Sequence, residues 1–217
     1  MEEDGRFLFL WEGLRRLMKG TNRRVLTIRE MTTIAVLAAV AAILFMIEIP
    51  VVLFYRLDLS TLPVLLGAFA MGPWQGTLIL LIKSSLGLLH SNSQGVGELA
   101  DFLMGLAMIL PASLVYRKIK TRKGAILGML LGVVAAVVAA VLSNLYIMLP
   151  FYSTAYGMPI ESIIAMGKEL VPAIDSAFKF VLYITAPFNL LKWVIISVLT
   201  ALIYKPLSPL LHSAQKR

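Results

Sequence analysis

The feature that most constrains this chain is a succession of apolar runs separated by short polar or basic segments. A helix needs about 20 mostly apolar residues to cross a bilayer, so six crossings need about 120 residues. They fit within a chain of 217 residues. The pattern therefore predicts an all-α integral membrane protein, a bundle of six transmembrane helices. The runs cover residues 32–49, 62–71, 74–89, 99–116, 125–149 and 178–204.

The composition excludes the main soluble alternatives. Apolar residues make up 59% of the chain and charged residues 15%, whereas about 25% charged residues is usual in a soluble domain. The net charge of +8 raises the possibility of a nucleic-acid-binding protein. Such proteins are not this apolar, and here most basic residues lie outside the apolar runs, so we expect a lipid bilayer and no nucleic acid partner. The absence of cysteine excludes disulfides and thiolate metal sites.

The distribution of lysine and arginine predicts the orientation in the membrane. Cytoplasmic segments carry an excess of these residues, and 15 of the 20 in this chain fall into three segments. Six crossings place all three segments on one side, so both termini are expected to be cytoplasmic. The three groups are Arg6, Arg15, Arg16, Lys19, Arg23, Arg24 and Arg29; Arg117, Lys118, Lys120, Arg122 and Lys123; and Lys205, Lys216 and Arg217.

The same segments predict the domain organisation. Residues 1–30 form a cytoplasmic N-terminal extension, residues 31–206 the membrane domain, and residues 207–217 a cytoplasmic tail. Within the extension, residues 7–20 have the pattern of a short amphipathic helix, which either lies on an anionic membrane surface or is an ordinary solvated segment. A short surface helix is expected between residues 151 and 176.

Small residues at four-residue spacing predict close helix contacts, because helices associate in lipid largely through faces that let their backbones approach. The glycine face of the fifth run favours packing inside the bundle. The alanine face of the first run fits either internal packing or a partner protein. The faces comprise Gly124, Gly128 and Gly132, and the pairs Ala35/Ala39 and Ala38/Ala42.

Four polar residues inside the runs are costly to bury and therefore informative. Lys83 lies mid-run and is expected to pair internally or to extend its ammonium group toward the surface. Asn189 and Lys192 are three residues apart and so share one helix face, next to the helix interruption expected at Pro187. Asn144 lies toward the end of the fifth run. The Asn189 and Lys192 pair predicts a ligand site.

Few other residues have the type and spacing of a catalytic or metal-binding site. Glu98 and Asp101 are spaced like a general acid–base pair, but acidic residues in the first turn of a helix suit its dipole, and we expect a structural role. His90 and His212 are predicted on opposite sides of the membrane, and neither belongs to a diagnostic metal motif. We therefore expect no metal and no catalytic residues. Asp58, beside Arg56, is the more interesting acid.

Five blocks carry a family resemblance: residues 57–76 (LDLSTLPVLLGAFAMGPWQG), 80–89 (LLIKSSLGLL), 95–112 (GVGELADFLMGLAMILPA), 143–152 (SNLYIMLPFY) and 186–198 (APFNLLKWVIISV). In this order they resemble the riboflavin-specific substrate-binding subunits, or S components, of energy-coupling factor (ECF) transporters. The resemblance implies a multi-pass plasma-membrane protein that binds riboflavin from outside and has no cofactor. It also implies docking on a transmembrane coupling protein with two cytoplasmic ATPases, through the alanine face of the first helix.

Carried over residue by residue, the resemblance implies a binding site. The flavin-ring contacts fall on Asn144, Asn189 and Lys192, and an Asn amide and a Lys ammonium complement the acceptors and donor of the pyrimidine edge. The chain departs from the family pattern at Thr61 and Asp101. The remaining implied site residues are Leu57, Asp58 and Leu59 in the lid and wall, and Gly95 and Glu98 near the ribityl chain.

Three alternatives stay open at this point. An S component for a different vitamin would keep the architecture and change the ligand. An intramembrane protease or lipid-modifying transferase would need a catalytic dyad or metal set inside the apolar runs, and the sequence offers none. A scaffold or channel subunit explains the small-residue faces but not Asn189 and Lys192.

Overall fold

The computed structural model describes residues 26–91, 93–155 and 157–212, with side chains as far as Tyr204. The expected amphipathic helix at residues 7–20 lies outside this part. In order, the elements are α1 (Ile28–Met46), β1 (Ile49–Val52), β2 (Tyr55–Leu57), α2 (Thr61–Met71), α3 (Pro73–Gly87), α4 (Val96–Lys118), α5 (Arg122–Ala155), α6 (Ile160–Leu170) and α7, from Ala177 to His212.

Each apolar run of the sequence forms a helix, which confirms the helical fold: the runs become α1, α2, α3, α4, α5 and α7. Among the described residues, α1, α4, α5 and α7 are long and apolar enough to cross a membrane. The 11-residue helix α2 is too short to do so alone, and all its residues are buried between neighbouring helices. The number of crossings and the side on which the termini lie stay predictions.

A glycine turn joins α2 to α3. Gly72 has a φ of 121°, which a residue with a side chain rarely adopts, and Pro73 then occupies the first position of α3. One turn later, a Cβ on Gly76 would lie 2.5 Å from the Cβ of Ala68. The two short helices therefore double back and pack in direct backbone contact.

The glycine face of α5 packs inside the bundle, as the sequence favours. A Cβ added to Gly128 would lie 2.5 Å from the carbonyl oxygen of Ala112, and one on Gly132 would lie 2.5 Å from that of Met108. Both carbonyls belong to α4. Any larger residue at either glycine would push these helices apart.

The hairpin β1–β2 and α6 cover one end of the bundle and share a second apolar core with α5 and α7. The ring of Phe54 at the hairpin turn lies 5.5 Å from the Tyr152 ring and 6.2 Å from the Phe180 ring. On α6, Ile163 and Gly167 are buried, and this helix is the surface helix expected between residues 151 and 176.

Helices α5 and α7 are each interrupted by one π-helical turn beneath this hairpin. The turn in α5 spans Asn144–Met148 and the turn in α7 spans Val181–Thr185, and the two turns contact each other. Single π turns inside α-helices redirect side chains and often occur at functional sites. Here they carry Asn144 and Thr185.

Candidate functional site

A cavity of about 1050 Å³ lies beneath the hairpin, between α1, α3, α4, α5 and α7. Five of the expected site residues line it: Asp58, Glu98, Asn144, Asn189 and Lys192. Its size and its mixture of apolar walls with few polar groups are typical of a small-molecule site.

Three expected site residues, Leu57, Leu59 and Gly95, are not among the residues that line this cavity, and their place in the lid, the wall and the ribityl end of the site stays a prediction. Leu57 pairs with Ile49 across the hairpin. Leu59 packs against the main core, the larger apolar cluster formed by residues of α1 to α5 and α7. Gly95 begins α4 with a left-handed backbone, φ 88°. These residues shape the segments that carry the lining side chains.

Four buried charged side chains form one network at the cavity wall, defined here as the charge cluster: Lys83, Lys192, Asp58 and Asp101. The Nζ of Lys192 lies 2.7 Å from Oδ2 of Asp58 and 3.3 Å from Oδ1 of Asp101. Lys83 Nζ donates to Oδ2 of Asp101. The formal charges cancel, as burial requires, because an isolated charge in the interior is very costly.

The charge cluster also controls the ionisation of Asp58, which lies in the loop before α2. Burial alone raises the pKa of this carboxyl, but the ammonium groups of Lys192 and Lys83, with hydrogen bonds from Lys192 and Ser60, hold the pKa below its ordinary value. Asp58 is therefore ionised at neutral pH. Its contribution to stability is complete above the unfolded pKa of about 4 and is lost as the pH falls toward the folded pKa.

Two asparagine amides face the cavity in different hydrogen-bonding states. Asn144 Nδ2 donates to the Ala140 carbonyl at 2.9 Å, and its Oδ1 accepts from the Tyr55 hydroxyl at 3.0 Å. Asn189 Nδ2 donates to the Thr185 carbonyl at 2.9 Å, but within the described part of the chain its Oδ1 has no partner. A buried polar atom without a partner is costly, so this oxygen has an unused capacity to accept a hydrogen bond.

A second polar group lines the cavity at the loop before α4. The carboxylate of Glu98 accepts hydrogen bonds from the Ser91 hydroxyl at 2.8 Å and the Ser93 hydroxyl at 3.0 Å. The apolar wall includes Phe54, Met148, Tyr152, Met104 and Phe188. The cavity therefore offers an apolar surface between two polar regions. Across the described residues, no group of three potential ligands could hold a metal ion.

Comparison with known proteins shows the family. A family model described as "ECF transporter, substrate-specific component" matches residues 29–204. The chain belongs to this family. It is 30% identical over 199 residues to "Riboflavin transporter RibU" of Staphylococcus aureus, a match covering 90% of this chain and 96% of the relative. It is 25% identical over 188 residues to "Riboflavin transporter FmnP" of Bacillus subtilis, covering 84% and 93%.

A solved structure, "Structure and mechanism of the S component of a bacterial ECF transporter", matches with a TM-score of 0.66 and 28% identity. The match covers 84% of this chain and 96% of that one. This S component is therefore a transporter subunit and a multi-pass plasma-membrane protein. The alternative of an intramembrane enzyme is wrong, because the family consists of transporter components.

The alanine face on α1 of this S component has a buried and an exposed part, and its role in docking stays a prediction. Ala38 is 1% exposed and belongs to the main core, and Ala42 lines the cavity. Ala38 is therefore not available as a docking surface in this structure, whereas Ala42 is half-buried. Ala35 and Ala39 are exposed. The small-residue pattern is the same for both pairs, and only the packing of α1 separates them.

Asp101 and Tyr55 line the cavity, although the sequence did not assign either of them to the site. Asp101 was expected to serve the helix dipole, yet it pairs with Lys83 and Lys192 and lines the cavity. Two buried lysines need carboxylate partners, and this need is the sequence signal that could have pointed to Asp101. Nothing in the sequence pattern placed Tyr55 against Asn144, since 89 residues separate them.

Proposed function

We propose that this S component binds riboflavin in the cavity beneath the hairpin and delivers it into the cell when docked on a coupling protein with two ATPases. The observation that carries the proposal is the buried, unpartnered Oδ1 of Asn189 on the cavity wall. Support comes from relatives named riboflavin transporters, which match over 81–90% of this chain.

The polar wall complements the pyrimidine edge of a flavin, which presents an N–H donor between two carbonyl acceptors. Asn189 Oδ1 accepts from the ring N–H. Asn144 retains one amide N–H, and Lys192 has three ammonium protons of which two go to Asp58 and Asp101. These remaining donors serve the two ring carbonyl oxygens.

The rest of the cavity suits the other parts of the ligand. Aromatic and methionine side chains offer an apolar surface for the dimethylbenzene end, and such contacts supply much of the binding energy in preformed pockets. Ser91, Ser93 and Glu98 provide hydroxyl and carboxylate groups for the ribityl hydroxyls.

We expect the purified protein to carry riboflavin. The measurement is an absorbance spectrum, in which bound flavin gives bands in the near-ultraviolet and blue regions, followed by extraction and identification of the ligand. Because ligand bound only to the folded state stabilises it, riboflavin at 100 times its Kd should add about 2.7 kcal/mol to the free energy of unfolding. A different vitamin in the extract, with no stabilisation by riboflavin, would contradict the proposal.

The proposed topology has six crossings, with both termini in the cytoplasm. Its support is the concentration of basic residues around the start of α1, around the junction of α4 and α5, and toward and beyond the end of α7. This topology places the hairpin and the cavity on the external side. Residues 1–30 and 207–217 are then the cytoplasmic segments flanking the membrane domain, and α7 continues to His212 within the second of them.

We place the docking surface for the coupling protein on the exposed side of α1. Of the four helices long enough to cross, α1 is the least buried, and its exposed face carries Ala35 and Ala39 at the spacing that permits close helix approach. This face is continuous with exposed Val36 and Ile43.

Replacing Ala39 by tryptophan should lower riboflavin uptake on the order of tenfold, because the bulky ring prevents close approach of the coupling protein. Riboflavin affinity of the isolated subunit should stay normal. The measurements are uptake by vesicles containing all subunits and fluorescence titration. Ala201→Trp, at an exposed alanine of α7, is the control. Equal loss of uptake in both variants would place the surface elsewhere.

A further inference from the structure

A hydrogen-bond relay connects the hairpin to both π turns. The Tyr55 hydroxyl lies 3.0 Å from Asn144 Oδ1 and 2.5 Å from Thr185 Oγ1. Thr185 and Asn144 are buried, and Tyr55 lines the cavity. Three segments distant in the chain therefore meet at one phenolic oxygen.

Each proton in this relay can be assigned from the partners. The Ala140 carbonyl can only accept, so the Nδ2 side of the Asn144 amide faces it. Oδ1 therefore faces Tyr55, whose single hydroxyl proton is donated to it. The hydrogen bond between Tyr55 and Thr185 then needs Thr185 as its donor. The relay runs in one direction, from Thr185 through Tyr55 to Asn144.

The Ala140 carbonyl determines which end of the Asn144 amide carries Nδ2, and the Tyr55 hydroxyl holds the other end of the amide in that orientation. A 180° rotation of the amide would place Oδ1 against the Ala140 carbonyl oxygen, with two acceptors in contact, and would also reverse its hydrogen bond with the Tyr55 hydroxyl. Its remaining N–H is consequently held in one place. The Asn189 amide hydrogen-bonds only through its nitrogen, and its oxygen has no partner among the described residues. The two cavity-lining amides therefore offer one donor, from Asn144, and one acceptor, from Asn189.

We infer that Tyr55 is a positioning residue, which through its hydroxyl orients the Asn144 amide so that it donates to the ligand. The inference rests on riboflavin being the ligand. Tyr55 thereby connects the hairpin to the donor that Asn144 offers in the cavity. Chains of hydrogen bonds polarise one another, so the Thr185 hydroxyl strengthens the contact that Tyr55 makes.

The test is a double-mutant cycle with riboflavin, measured by quenching of flavin fluorescence. Tyr55→Phe should weaken binding roughly three- to tenfold, and Asn144→Leu more strongly. Combining them should cost no more than Asn144→Leu alone, because the only effect of Tyr55 on the ring passes through Asn144. Thr185→Val should give a smaller loss that also disappears in the Asn144→Leu background.

Tyr116→Phe is the matched control. It removes the same hydroxyl from a half-buried tyrosine whose partner is the Tyr204 hydroxyl at 2.9 Å, and Tyr116 does not line the cavity. Thermal unfolding should show similar small losses for Tyr55→Phe and Tyr116→Phe, while only the former lowers affinity. A purely structural role for Tyr55 would make the two variants alike in both measurements.

Two results overturn the inference and are distinguishable from each other. If the unmodified protein binds riboflavin and Tyr55→Phe keeps its full effect in the Asn144→Leu background, Tyr55 acts independently of Asn144, and only the positioning role fails. If the unmodified protein does not bind riboflavin, the proposed function fails, and the inference fails with it.

Discussion

Replacing Lys192 by methionine should weaken riboflavin binding ten- to a hundredfold and destabilise the protein. The first effect follows from loss of a charged donor, worth roughly 1.5–3 kcal/mol, at about 1.4 kcal/mol per tenfold change. The second follows because Asp58 then loses its ion-pair partner, while Asp101 keeps only Lys83. Removing one partner of a buried ion pair lowers the free energy of unfolding by about 3–5 kcal/mol.

Two variants separate these effects. Lys83→Met deletes the other ammonium group of the charge cluster, but Lys83 does not line the cavity, so it should destabilise the protein with a smaller loss of affinity. Lys192→Met combined with Asp58→Asn removes one charge of each sign and should recover stability without recovering affinity. Riboflavin titration and thermal unfolding measure both quantities. Equal losses of affinity in Lys83→Met and Lys192→Met would mean that binding reports only the integrity of the charge cluster.

Asn189→Leu is also expected to weaken riboflavin binding ten- to a hundredfold. Its Oδ1 is buried without a partner among the described residues and is the acceptor for the ring N–H in the proposed complex. Leucine would leave that N–H unpaired. Stability should change little, because the variant also removes a buried unsatisfied acceptor while losing the hydrogen bond to the Thr185 carbonyl. Fluorescence titration and thermal unfolding give the two results.

A riboflavin analogue that lacks the ring N–H tests the proposed hydrogen bond to Asn189 by changing the ligand instead of the protein. Riboflavin methylated at that nitrogen should bind the unmodified protein at least tenfold more weakly than riboflavin, and Asn189→Leu should discriminate little between the two. Asn144→Leu, the matched amide deletion, should keep the discrimination. If Asn189→Leu and Asn144→Leu lose the discrimination between the two ligands equally, the oxygen of Asn189 is not the acceptor of this proton.

Particular residues show how far the sequence predicted the site. The spacing of Asn189 and Lys192 placed them on one face, and both line the cavity. Internal pairing of Lys83, one of two expectations for it, is what the structure contains. The two alanine pairs of α1 have identical spacing but opposite environments, and Leu57, Leu59 and Gly95 lie near the site without lining it.

By itself the sequence determined the membrane class, the order of the helices and the glycine packing face. These depend on local properties, since a lipid-embedded helix needs a contiguous apolar segment and a close contact needs small residues at helical spacing. Only the tertiary structure decided which buried polar groups pair. Lys192 meets Asp58 across 134 residues and Asp101 across 91, and Tyr55 meets Asn144 across 89. Such pairs arise because buried charges and amides must find partners wherever packing brings them together, and no local pattern encodes that meeting.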